Sequence, residues 1–388
     1  MNVEQLRAQT PGCARLIHLN NAGASLPPQV VVQTMQDYLT LEATVGGYEA
    51  ADAQADEVAG FYTAVARLLG AQARNIAFAG SATDAYARAL SAIPFQSGDV
   101  ILTTDNDYVS NQITFLALEK HRQIKVVRAR DTITGGVDVD DFERLVKTLQ
   151  PKLAAVTHVP TNSGLVQPVA AIGKICRAHE VWYLVDACQS AGQLPLDVEQ
   201  IGCDFLSATL RKFLRGPRGA GFLYASDRVL DAGLEMPFPD MRSADWTSAN
   251  TYTTAADARR FEYWEMAPAL VLGSKVAVEY ALGLGLPRIA ARVKALADFT
   301  RQHLGELPGV QVLDQGEHLC GIVTAHSTAW NAKTLLPALS AQHINCRISS
   351  LHVAQIDFPR KGVEWALRIS PHYYNTEAEI MRAIEALP

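Results

Sequence analysis

Thr209-Leu-Arg-Lys212-Phe-Leu-Arg-Gly216-Pro-Arg-Gly219 is the densest chemical string in this sequence. It follows an apolar run, residues 205–208, that reads as a buried strand. Arg211, Arg215 and Arg218 surround Lys212, and Gly216-Pro-Arg-Gly219 makes a tight, rigid turn. Arginines packed around the lysine would lower its pKa by like-charge repulsion, favouring a nucleophilic amine able to form a Schiff base. The same string also suits a solvated basic loop leading into a strand.

Upstream, the apolar run 182–186 ends in Asp186, followed by Ala187, Cys188 and Gln189. A carboxylate at the C-terminal end of a buried parallel strand points into the crevice where α/β sheets bind ligands. Asp186 would serve equally as a helix N-cap. An aspartate one strand before the lysine suggests pyridoxal phosphate, with the acid on the pyridinium nitrogen and the amine on the aldehyde. Gly80-Ser-Ala-Thr-Asp84 lies between a strand and a helix. Small residues there leave backbone N–H groups free for phosphate, although a plain capped helix has the same signature.

Outward from these strings, strand-like runs at 76–79, 100–104, 124–128, 153–158, 182–186, 205–208 and 221–224 alternate with helix-like segments at 84–92, 111–120, 140–149 and 169–180. That alternation predicts an α/β sheet with right-handed crossovers. The last third changes character. Residues 265–284 and 286–307 read as long helices. Strand-like pieces at 321–325 and 344–349 flank a helix at 332–342, and a final helix spans 376–386. This predicts a large domain over 15–255 and a smaller α+β domain from 1–14 and 256–388. Residues 235–255, rich in Ser, Thr and Pro, read as an ordered loop at the boundary.

The 388 residues carry 34 Lys+Arg against 40 Asp+Glu, a net charge of -6, which argues against a nucleic-acid binder. A 48% hydrophobic content excludes disorder. No apolar run reaches the roughly 18 residues a bilayer span needs. Met1 to Thr10 is polar and charged and lacks the apolar core of a secretory signal. Cys13, Cys176, Cys188, Cys203, Cys320 and Cys346 form no CxxC pair and no zinc-spaced cluster, so no metal site is expected. They read as reduced thiols of a cytoplasmic protein.

Asp186-Ala-Cys-Gln189, the lysine string and Arg368-Ile-Ser-Pro-His-Tyr-Tyr-Asn-Thr376 together resemble class V aminotransferase-fold enzymes, the fold-type I pyridoxal-phosphate group that includes cysteine desulfurases and isopenicillin N epimerase-like proteins. The resemblance runs over essentially the whole chain. It implies a large domain with a mostly parallel seven-stranded sheet plus a small α+β domain. Within the class, Arg211–Gly219, Arg259-Arg-Phe-Glu-Tyr-Trp-Glu265, Cys320-Gly-Ile-Val323 and His372–Thr376 are most similar to the hercynylcysteine sulfoxide lyases of ergothioneine biosynthesis.

By that resemblance, Lys212 would hold the cofactor aldehyde and move the substrate α-proton. Asp186 would keep the pyridine nitrogen protonated, and Gln189 would bond the phenolic oxygen. Ala82, Thr83, Thr209 and Arg211 would contact phosphate. Tyr108 would stack on the ring, or else be a half-buried loop tyrosine. Thr161 or Asn162 would approach the phenolic oxygen or the substrate carboxylate, and Arg368 would clamp that carboxylate. The turn Leu19-Asn-Asn-Ala-Gly-Ala-Ser25, with Gly23, would line the substrate side. Gly46-Gly-Tyr48-Glu49 would sit at a homodimer interface and lend Tyr48 to the partner's site.

Two departures from the class matter. Desulfurases carry a nucleophilic cysteine on the loop before the carboxylate-binding arginine; here that loop reaches His352, and the closest thiol, Cys346, lies in the strand before it. The Gly-Thr that often follows Arg-Phe-Glu, contacting the neighbouring subunit's phosphate, is replaced by Tyr263-Trp264-Glu265, whose acid would repel phosphate. Trp264 would instead border the mouth of the site. The expected reaction is β-elimination from a cysteine S-conjugate or sulfoxide. An epimerase, a desulfurase and an aminotransferase on the same scaffold are the alternatives, as is a non-catalytic protein that kept the fold.

Overall fold

The computed structural model describes residues 1–388. Seven strands form one sheet: β1 (Ile76–Ala79), β2 (Val100–Thr104), β3 (Lys125–Ala129), β4 (Leu153–Thr157), β5 (Trp182–Asp186), β6 (Phe205–Thr209) and β7 (Gly221–Ala225). Their spatial order is β1-β7-β6-β5-β4-β2-β3. Only β7 runs antiparallel to its neighbours. The expected mostly parallel seven-stranded sheet is therefore present, with strand ends moved by a residue or so.

Helices cover both faces: α1 (Gln29–Val45), α2 (Gly47–Ala53), α3 (Ala55–Leu69), α4 (Ala82–Ala92), α5 (Val109–Arg122), α6 (Val139–Leu149) and α7 (Val169–Ala178), then the long α8 (Pro268–Leu284) and α9 (Leu286–Gly305). Alternate strand residues feed two cores. Leu184 and Phe205 pack with Tyr86 of α4 and Phe115 of α5. Tyr183, Val185 and Leu206 pack on the other face with Phe142 of α6 and Ile172 of α7. Burial on both faces explains the continuous apolar runs. The two-residue period also puts Asp186 on the same face as Leu184, toward α4 and α5. Thr157 of β4 and Ser207 of β6 are its register partners. A polar row thus closes the C-terminal edge of an otherwise apolar sheet.

A second sheet of four antiparallel strands, β10-β11-β13-β12, follows a hairpin of β8 (Ala244–Ser248) and β9 (Thr251–Thr254). Its strands are β10 (Val310–Val312), β11 (Val323–Ser327), β12 (Arg347–Ser350) and β13 (Trp365–Ile369). Helices α10 (Ala332–Ala341), α11 (Asp357–Arg360) and α12 (Glu377–Glu385) accompany it. Thr376 and Glu379 cap the last helix reciprocally.

Two sequence expectations change. Residues 235–255 hold the β8–β9 hairpin, not a loop; its side chains are mostly exposed, so no apolar alternation marks it. Gly46–Glu49 spans a helix junction. Gly46, at φ 105°, breaks α1 from α2, and Tyr48 stands in the first turn of α2. The sheet core also continues past residue 255: Ala258 and Phe261, Val271 and Val278 of α8, and Ile289 and Val293 of α9 all pack into it. Ile17 and Leu19, by contrast, pack with Leu296, Val323, Ile369 and Ile380 in the small core.

Candidate active site

Asp186 is 3% exposed. Its Oδ2 accepts from Asn111 Nδ2 at 3.0 Å and its Oδ1 from the Cys188 N–H at 2.9 Å. The second bond closes a local turn that no helix follows, so Asp186 is not the helix N-cap the sequence also allowed; the first, from α5, ties it to a distant segment. Tyr108 is the N-cap residue of α5, and its ring centroid lies 5.8 Å from Lys212 Nζ.

Lys212 follows β6 and is buried, which lowers its pKa. Burial is the largest cause, and the nearby Arg211 and Arg368 add to it. The expected encirclement by three arginines is therefore only partly right. Arg215 turns away: its Nε donates to the Leu26 carbonyl at 2.8 Å, Nη1 to the Tyr373 hydroxyl at 2.8 Å and Nη2 to Thr10 Oγ1 at 2.6 Å. It is 1% exposed and locks the N-terminal segment to Tyr373. Arg218 is exposed in the turn, where Gly219 adopts φ 77°. Arg211 donates to the Gly23 carbonyl, and the Ser25 N–H donates to the Arg211 carbonyl at 2.9 Å. Lys212 and the Leu19–Ser25 turn are so held against each other.

Arg368, on β13 of the small sheet, reaches across to the loop after β4 of the large domain. Nη1 donates to the Thr161 carbonyl at 2.9 Å and to Thr161 Oγ1 at 2.8 Å; Nη2 donates to Asn20 Oδ1 at 3.1 Å. No carboxylate pairs with it, and its Nε has no partner. Two adjacent donors, Nε and the second Nη2 hydrogen, are left for a carboxylate. Burial beside Arg347 and Arg211 pulls its pKa down. Gln189 Nε2 donates to the Ala22 carbonyl at 3.0 Å and to Thr161 Oγ1 at 2.9 Å. Its free atom is Oε1, an acceptor. Gln189 can therefore accept one more hydrogen bond, from a ligand hydroxyl. Asn162 turns to the small domain, donating to Asp357 Oδ2 of α11 at 2.9 Å.

Ala82 and Thr83 open α4, which Ser81 caps by accepting from the Asp84 N–H at 3.1 Å. Thr209 pairs with Gly221 across β6 and β7, and its hydroxyl donates to the Ala220 carbonyl at 3.3 Å. A Cβ on Gly221 would fall 2.6 Å from Ser81 C and 2.8 Å from Ala82 N. Glycine here lets the helix start approach the sheet edge.

Tyr48 does not join the other candidates within its own chain. It is 75% exposed and lines a groove of about 900 Å³ with Tyr62, Arg242, Trp264 and Glu265. Glu262 of the Arg-Phe-Glu string is structural: it accepts from the Phe78 N–H at 2.8 Å, the Tyr62 hydroxyl at 3.1 Å and Arg242 Nε at 2.9 Å. His372 is wholly buried against the Phe213 carbonyl at 2.9 Å. Cys346 stands between the short strand Ile344–Asn345 and β12, packed against the small core. The residue is half-buried, and desolvation of the thiol pushes its pKa up to about 12.

Sequence reading missed Asp107, Asn111 and Thr157, which surround Asp186, and Asn20, which steadies Arg368. Thr157 and Asn111 were findable in principle. One ends the strand beside Asp186, and the other lies one helical turn after Asp107.

The model of the aminotransferase class-V family matches residues 17–382. A probable cysteine desulfurase of Pyrococcus abyssi is 26% identical over 386 residues, covering 97% of this chain and 94% of that protein. The solved apo cysteine desulfurase of Thermococcus onnurineus superposes with a TM-score of 0.90 at 25% identity, covering 98% of this chain and 96% of that one. A cystine C–S lyase solved with its product cysteine persulfide gives 0.87 at 23% identity, covering 97% and 98%; that likeness is one of fold.

Proposed function

The chain belongs to the aminotransferase class-V family, and on that footing we propose that it is a C–S lyase, releasing a sulfur leaving group from Cβ of a cysteine S-conjugate or cysteine sulfoxide. Pyridoxal 5′-phosphate is its cofactor. The buried groups suit it: an amine at Lys212 whose pKa is lowered, a carboxylate at Asp186, an unpartnered acceptor at Gln189 Oε1, and the start of α4.

The observation that carries the reading is the state of Cys346. Relatives with the name cysteine desulfurase are numerous among the matches. A persulfide-forming enzyme needs a reactive thiolate. Cys346 is the thiol nearest the position where that nucleophile is expected; it is half-buried against the small core, and desolvation raises its pKa, which disfavours the thiolate. The segment beyond β12 presents Leu351 and His352 instead. A substrate whose sulfur departs by itself needs no such thiol.

The geometry supports the following division of labour. Arg368 offers Nε and Nη2 to the substrate α-carboxylate, anchored by Thr161 and Asn20. Lys212 Nζ takes the proton from substrate Cα, and its lowered pKa favours the neutral amine this requires. Asp186 stabilises positive charge at the ring nitrogen. When bound, pyridoxal phosphate supplies a sink for the electron pair left at Cα. The Cβ–S bond then breaks, sulfur leaves as thiolate or sulfenate, and hydrolysis of the three-carbon remnant gives pyruvate and ammonia.

Hercynylcysteine sulfoxide is the specific substrate we favour, on the strings 211–219, 259–265 and 372–376, which would put the chain in ergothioneine biosynthesis. We also infer a cytoplasmic homodimer, with the groove around Tyr48 and Trp264 toward the partner. The test is turnover of a panel of cysteine conjugates and sulfoxides by cofactor-loaded protein beside a Lys212→Ala control. Pyruvate from at least one conjugate, lost in the control, supports the reading. Unreacted conjugates, with the cofactor band intact, overturn it for that panel.

A further inference from the structure

Asp107 lies one residue before Tyr108, 6% exposed, and its hydrogen-bond partners are all neutral. Oδ2 accepts from Thr103 Oγ1 at 3.0 Å and Gln112 Nε2 at 3.1 Å. Oδ1 accepts from the Tyr108 N–H at 2.6 Å, from Asn111 Nδ2 at 3.2 Å and from the Thr157 hydroxyl. Carboxyl oxygens surrounded by donors are those of an ionised acid. Burial, and then the charge of Asp186, push its pKa up against those bonds.

The second carboxylate of this cluster is Asp186 itself. Asn111 Nδ2 stands 3.2 Å from Asp107 Oδ1 and 3.0 Å from Asp186 Oδ2, so one amide bridges the two acids. Thr157, the register partner of Asp186, joins Asp107 from the sheet side. The bridge fixes which way Asn111 points: its nitrogen, not its oxygen, must face Asp186. Two buried negative charges so close together also favour a positive charge on whatever Asp186 meets.

We propose that Asp107 is a positioning residue of the cofactor site, which orients Asn111 and through it holds Asp186 as the charged partner of the cofactor's ring nitrogen. The proposal rests on the family's cofactor and not on the lyase reading, so either can fail alone.

The experiment measures cofactor dissociation constants for the wild-type chain and Asp107→Asn. Each protein is reconstituted with pyridoxal phosphate and with its analogue bearing C–H in place of the ring nitrogen. Asp107→Asn should weaken pyridoxal phosphate by about tenfold and leave the analogue unchanged, because only the former has the nitrogen that Asp186 serves. A general loosening of the site would weaken both alike, and that result overturns the proposal, as does no change in either. Asn111→Ala cuts the same bridge and should show the same selective loss. It decides the matter if Asp107→Asn does not fold, and an unaltered preference between the two cofactors in that variant is equally contrary.

Discussion

Arg368 of the small sheet donates twice to Thr161 of the large domain, at 2.9 Å to its carbonyl and 2.8 Å to its hydroxyl. The pair joins the two domains at the point where the substrate carboxylate is expected. It also fixes the guanidinium plane, leaving one edge of the fork for a ligand. Arg368→Lys keeps a charge and loses the fork. It should raise KM for the amino-acid substrate about a hundredfold, with a smaller effect on kcat. Thr161→Val should shift KM in the same direction by about tenfold. Steady-state kinetics on a reacting conjugate check both; an unchanged KM in Arg368→Lys would remove Arg368 from the substrate site.

Gly221 tests the phosphate end. Its missing side chain leaves room for Ser81 and Ala82, whose atoms a Cβ would meet at 2.6 and 2.8 Å. Gly221→Ala must displace the start of α4. Pyridoxal phosphate affinity should fall about tenfold while unphosphorylated pyridoxal, weak in both proteins, changes little. Equilibrium dialysis or fluorescence titration with each ligand reads the difference.

Cys346 separates elimination from persulfide chemistry. Cys346→Ala should leave the rate of conjugate cleavage within about twofold, since a side chain packed against the small core has no step to perform. Loss of all turnover in a folded variant would bring back the persulfide route.

Asp131 should make stability depend on pH. Burial and the neighbouring Asp105 raise its pKa to about 6, while Arg360 opposes them. The folded protein therefore binds more protons than the unfolded chain between roughly pH 4 and pH 6, and stability from this group falls as pH rises through that window. Asp131→Asn removes the loss. Its melting temperature should exceed wild type at pH 7, with the gap closing below about pH 4. Thermal melts across that range show whether the sign is right.

Much of this architecture was written in local sequence. The strands were legible because both faces of a parallel sheet are covered, so 182–186 and 205–208 are continuously apolar. Lys212, Asp186 and Arg368 stood out because charged residues next to such runs are conspicuous. The β8–β9 hairpin was not legible, because exposed Ser and Thr strands have no apolar face to alternate. Helices α1 and α2 have no side-chain N-cap and no basic last turn, whereas α3, with Asp56 and Glu57 in its first turn, Arg67 in its last and Gly70 after it, carries a legible signal that sequence reading missed; α8 belongs to the sheet core through packing alone. The bridging of Asp107, Asn111, Thr157 and Asp186 depends on strand register and helix placement, which arise only when distant segments meet. Arg215 illustrates the same limit from the other side: it sits three residues after Lys212 yet points to Thr10 and Tyr373.

The central claim is that sulfur leaves from Cβ without a protein thiol, and the products decide it. Elimination converts the carbon skeleton of a cysteine conjugate to pyruvate and ammonia; attack by a protein thiol converts cysteine to alanine. Quantifying pyruvate against alanine by mass spectrometry, from isotope-labelled conjugate and from labelled cysteine, makes the comparison in one assay. The account predicts pyruvate as the product of the conjugate with negligible alanine from either substrate. Alanine as the main product from cysteine, with sulfur found on Cys346, would contradict it.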